Sequence, residues 1–304
     1  MTASFETFMD TAWRDHGDDP AGVASRLADA RALPQDDAER GRLASLATHV
    51  YGEHLGRWMD GVAFLDTLRR VTADDARDAE DASGDGDGRD ALTLAIDRHV
   101  ATLRHAAGDT RALDGLAPAE AAAALAGCAS AMAGRGDFAH AIADYAAGRE
   151  LASAGLADGS PAIRALAVGG NNLAVALEGK PDRTPAETAA MVDAAHSALV
   201  HWRRAGTWLE EERAHYRLAM SRLAAGDAAG AIDSAAHCLA VCDANEAPPF
   251  ERFFGYAALA MARRAAGERT GFDDARTRAL ALYESLPDDD KPFARGDLAK
   301  IEAS

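Results

Sequence analysis

The groups in this chain that could do chemistry are three cysteines, ten histidines and a large surplus of carboxylates. Cys238 and Cys242 are four residues apart, so a helix would set both thiols on one face. With Cys128 they make an odd and small set, too few for a disulfide framework or a four-cysteine zinc site. They read as small buried apolar side chains, with a redox or metal role as the alternative. His49 and His54 are five apart, about 140° round an α-helix, which is poor geometry for two ligands on one metal. They are expected to be surface or partly buried histidines. Glu212 and His215 have the Glu-x-x-His spacing used in di-iron bundles, but such a site needs a second copy and two more carboxylates. Neither is evident, so both residues are expected to be structural.

One further spacing points to a cation. From Asp81, oxygen ligands recur at Ser83 and Asp85, and Gly86 follows as in a helix-flanked calcium loop. The twelfth position, where a bidentate glutamate belongs, is Leu92, and its absence argues against calcium. No Gly-rich phosphate loop, Gly-x-Ser-x-Gly elbow, His-Glu-x-x-His pair or Cys-x-x-Cys occurs. The sequence therefore predicts no catalytic residue, no metal ligand and no cofactor.

Composition narrows the class. Apolar residues make up 48% of the 304 positions and charged residues 27%, as in a folded protein. Much of the apolar share is alanine, the best helix former, which also allows helices to approach closely. The expected fold class is all-α. A formal charge of −17 disfavours nucleic acid and anionic membrane surfaces as partners. The start of the chain lacks a basic segment followed by an apolar core, and no run of about 20 apolar residues occurs. A cytoplasmic location is expected.

The elements that would position any site follow a repeated grammar. In Leu125–Leu151, Leu125, Cys128, Ala129 and Met132 give one apolar stripe. A break at Gly134–Asp137 follows, and Phe138, Ala141, Ile142 and Tyr145 give a second stripe. Thr207–Ala244 repeats this around Gly226-Asp227. Pro248-Pro249 and Gly267 frame another helix, and Pro287 stops its partner. Thr184 with Glu187 reads as a capping box. Three segments result: helical hairpins over residues 1–72, an acidic Gly/Asp-rich flexible loop over 73–90, and helical repeats over 91–304 with a capping helix near Phe293–Ile301.

The spacing resembles the tetratricopeptide repeat family in a degenerate, long-unit form. Ala129, Ala174, Ala219 and Ala260 occupy the small position of the first helix. Gly136-Asp137, Gly226-Asp227 and Gly267-Glu268 supply the turn. Gly61, Ala141 and Ala231 match the small position of the second helix, with Ala275 in that role after an insertion. Asn171–Ala174 ("NNLA") is similar to the longer variety of the repeat. The first hairpin departs from the pattern, with His49 where a small residue belongs.

This resemblance implies a right-handed α-solenoid of antiparallel hairpins, one continuous superhelix whose first helices line a concave face. By the same resemblance Arg164, Asn171, Asn172, Arg213, Tyr216 and Arg217 would face a protein or peptide partner. Asparagines can hydrogen-bond an extended backbone, and two arginines one turn apart can hold an acidic side chain or a C-terminal carboxylate. The alternative is that Asn171 and Asn172 satisfy inter-repeat backbone groups while the arginines pair with Glu210, Glu211 or Glu212 at helical spacing. The expected function is a non-catalytic protein- or peptide-binding scaffold. The alternatives are a repeat domain sensing a small molecule and an all-α enzyme with a non-local site.

Overall fold

The structure, a computed structural model, describes residues 4–79 and 91–303. Among these the regular elements are all helical, and none is long and apolar enough to cross a membrane. The acidic Asp81–Asp90 run with its calcium-like spacing lies outside the described residues. The chain divides into two compact units, Met1–Leu156 and Ala157–Ser304.

The first unit holds α1 (Phe5–Asp15), α2 (Pro20–Ala30), α3 (Asp37–His49), a π turn (Val50–His54), α4 (Trp58–Ala79), α5 (Ala91–Ala106), α6 (Pro118–Gly134) and α7 (Phe138–Ala152). A loop was expected from residue 73, but α4 runs on to Ala79. Thr72–Ala79 intersperses three alanines with its acids and contains neither glycine nor proline, so nothing local breaks the helix. The core is built from Met9, Leu27, Leu43, Leu46, Leu65, Leu68, Ile96 and Leu103, each at most 2% exposed. α6 is nearly all small residues, and they are buried from Ala121 to Ala126. That lack of bulk lets α5 and the π turn pack closely on it.

The second unit holds three antiparallel hairpins and a closing helix. These are α8 (Pro161–Gly179) with α9 (Pro185–Ala205), α10 (Trp208–Ala224) with α11 (Ala228–Ala244), and α12 (Pro249–Ala265) with α13 (Arg269–Ser285), followed by α14 (Lys291–Glu302). Ala174, Ala219 and Ala260 in the first helices, and Ala231 and Ala275 in the second, are at most 2% exposed. Small side chains at these crossings are what allows the paired helices to approach.

One turn joins the paired helices of three hairpins. Gly136, Gly226 and Gly267 have φ of +78°, +80° and +75°, the left-handed region where glycine escapes the Cβ penalty. In each copy the next residue's N–H donates back to the carbonyl five positions earlier, Asp137 to Met132, Asp227 to Arg222 and Glu268 to Arg263, all at 2.9 Å. Asp137 and Asp227 then cap the following helix by accepting from the amides of His140 and Gly230. The box at Thr184–Glu187 forms as expected, and Thr207 with Glu210 makes a second.

Candidate functional site

In the second unit α8, α10, α12 and α14 enclose a groove of about 450 Å³. Met220, Leu223, Ala224, Met261 and Ala265 line its apolar part, and Glu178, Arg264 and Lys300 its charged part. Each first helix of a hairpin contributes, because their small crossing residues point into the hairpins and leave the longer side chains facing the groove. α14 packs on α12 and closes one side.

The six residues expected to meet a partner fall into separate groups. Arg217 donates to Glu178 on α8, and its guanidinium lies 5.5 Å from the Tyr216 ring centroid. Ser221 Oγ donates to the other oxygen of Glu178 at 2.6 Å. Tyr216 donates its hydroxyl to Asp297 of α14, and this buried environment and the Asp297 charge push the phenol upward. Arg213 grips Glu251 of α12 through Nη2 and Nε at 2.6 and 3.3 Å. The two arginines thus do not converge on one external carboxylate; each takes a different carboxylate from a neighbouring hairpin. Arg164 lies over the Trp202 ring at 5.2 Å. Asn171 donates to Asn172 at 3.4 Å, between the exposed Val168 and Val175 on the same helix. Of these groups only Glu178, the partner of Arg217, lines the groove; Arg164, Arg213 and Tyr216 belong to other contacts.

The thiols are buried. Cys238 Sγ donates to Glu212 Oε1 at 2.9 Å, and Cys242 lies within the same group. Burial pushes the Glu212 carboxyl upward against the pull of that thiol, and the nearby Glu251 charge adds to the rise. His215 points elsewhere: it accepts from Arg203 Nη2 at 3.1 Å and stacks on His237. Glu212 and His215 therefore share no ligand position. In the first unit Cys128 joins His105 and Asp144, where His105 Nε2 meets Asp144 Oδ1 at 3.0 Å. Burial pushes the Cys128 thiol upward, and the Asp144 charge adds to the rise.

His49 and His54 are partly buried, as expected, but they face each other. His49 and His54 do not diverge: their Nε2 atoms are 3.1 Å apart. The reason is the π turn, in which the Leu55 N–H donates to Val50 O at 3.1 Å, five residues back. A wider turn brings residue 54 round to the side of residue 49, a local geometry found often at functional sites. His16, at the end of α1, completes a trio whose ring nitrogens lie within 4.8 Å of one another. His16 is remote in sequence from His49 and His54, so no local spacing joins it to them.

No protein-family model matches the chain, and no curated protein matches it.

Proposed function

We propose that this chain is a non-catalytic binding protein, a degenerate tetratricopeptide-like stack of hairpins in which the groove of the second unit receives a peptide segment of a partner. The observation behind this is the groove itself, with a methionine- and leucine-lined floor beside the Arg264 and Lys300 side chains. Met and Leu floors adapt to varied apolar side chains. Arg264 and Lys300, which also donate to the Ala303 carbonyl and to Asp297, would have to share those bonds with a partner's carboxylate. The repeated left-handed turn and the buried alanines at the hairpin crossings support the repeat reading. The strong net negative charge of −17 weighs against a polyanionic partner.

A peptide library selected on the immobilised full chain tests this. Enriched sequences should pair Leu, Met or Phe with an adjacent Asp or Glu. Leu223→Glu should weaken the best of them by tenfold or more while circular dichroism stays unchanged. No enrichment, or enrichment indifferent to Leu223→Glu, would remove the groove from consideration. A second reading, a small ligand in the same groove, is favoured by its volume, which falls among those of ordinary ligand pockets, roughly 300–1,000 Å³. Thermal shifts with metabolites and none with peptides would select it.

A further inference from the structure

We propose that His16, His49 and His54 form a binding site for one divalent transition-metal ion of the zinc class, independent of the groove. The site is assembled from three places in the first unit: the C-terminal end of α1, the last residue of α3 and the end of the π turn.

The outer nitrogens decide what the inner ones can do. His16 Nδ1 donates to the Trp13 carbonyl, which leaves its Nε2 with a lone pair. His49 Nδ1 lies 3.2 Å from Glu53 Oε2, so its Nε2 likewise presents a lone pair; His54 Nε2 donates to it here, and that proton must leave Nε2 when an ion binds. A carboxylate and a backbone carbonyl behind the ligating rings are the usual outer partners of metal-bound histidines, fixing tautomer and ring orientation. Two nitrogens at 2.0–2.1 Å from a tetrahedral ion stand about 3.3–3.4 Å apart, close to the 3.1 Å found between His49 and His54. Three imidazoles and no thiolate suit zinc, copper, nickel or iron rather than calcium or magnesium.

The surroundings hold this arrangement. Ser130 Oγ of α6 donates to Glu53 Oε2 at 3.1 Å, and Arg135 Nη1 donates to the His54 carbonyl at 3.0 Å. Gly134 is where α6 meets Glu53: an added Cβ there would stand 2.3 Å from Glu53 Cγ. The end of α1 presents carbonyls and the negative pole of its dipole, which favour a cation. Trp13 packs against both His16 and His49, with ring centroids 5.2 and 5.3 Å away. All three histidines are half-buried, so an ion can enter and a fourth position can be taken by water or another ligand.

The test is isothermal titration of the metal-stripped full chain with zinc chloride, together with the visible absorption of added cobalt(II). One equivalent of zinc should bind, and cobalt should give the intense bands of a low-symmetry nitrogen site. His16→Gln and His49→Gln should abolish both signals, and Glu53→Gln should weaken zinc 10–100-fold, as loss of an outer-shell partner does. His140→Gln and His237→Gln, on exposed histidines, should change nothing. His16→Gln is the safeguard should His49→Gln misfold, since circular dichroism will show which variants are folded. Absence of saturable zinc binding would overturn the proposal. So would binding that survives His16→Gln in a folded protein, or binding lost instead with Cys238→Ala.

Discussion

Glu212 is fully buried between α10 and α11, with one oxygen accepting from Cys238 and the other without a hydrogen-bond partner among the described residues. Burial holds its folded-state pKa above the ordinary carboxylate value, with Glu251 adding to the shift. A carboxyl raised on folding binds its proton more tightly in the native state. It therefore costs stability as pH rises from its unfolded pKa, near 4.3, toward its raised folded value. Glu212→Gln is isosteric and uncharged, so its stability relative to wild type should be flat below pH 4 and increasingly favourable toward pH 8. Denaturant midpoints at several pH values measure this, and a constant difference would refute it. Arg217 makes the opposite case. Placed by sequence among partner-binding residues, it is tied to Glu178 within the protein. Arg217→Gln should cost about 1–3 kcal/mol by leaving a largely buried carboxylate short of a partner. A groove residue without that structural duty would leave the midpoint unmoved.

At the scale of elements, the hairpin turn is the most sequence-determined part of the chain. Gly-Asp or Gly-Glu recurs where a left-handed residue must be followed by a helix start. Gly226→Ala, at φ +80°, should cost about 1–2 kcal/mol, and Asp227→Ala about 1 kcal/mol through the lost cap. Thermal unfolding checks both, and an unchanged midpoint in Gly226→Ala would mean the turn relaxes. The close crossings are equally testable. Ala219 is 1% exposed, so Ala219→Leu should overpack the α10 core by about 1–3 kcal/mol or more. The π turn lies at the other extreme of legibility. Residues 50–54 have no composition that sets them apart from an α-helix. Their widened turn is seen only in the fold, where Gly52 packs against Leu103 and Trp58 from other helices.

For the whole molecule, the two compact units, Met1–Leu156 and Ala157–Ser304, each have their own buried cluster. The second contains Phe253, Ala257, Ala260 and Ile301, all fully buried. A fragment spanning residues 157–304 should therefore be helical and unfold cooperatively. Circular dichroism and a single sharp thermal transition would show it; a fragment with broad, non-cooperative melting would refute it.

The all-α class, the Gly-Asp turns and the Thr184 cap were legible in the sequence. Each depends on local physics: alanine's propensity, apolar spacing at helical period, and glycine's freedom at positive φ. What the sequence could not state is which side chains meet across helices. Arg213 and Arg217 look available one turn apart, yet carboxylates 38 and 39 residues away in sequence take them. His49 and His54 look divergent on an α-helical wheel, yet the π turn faces them together and His16 arrives from another helix. Such meetings depend on how helices cross and where a turn widens, and those are decided by packing between distant segments. Local propensity set the elements here; tertiary contact decided which groups became a groove, an ion pair or a cluster of imidazoles.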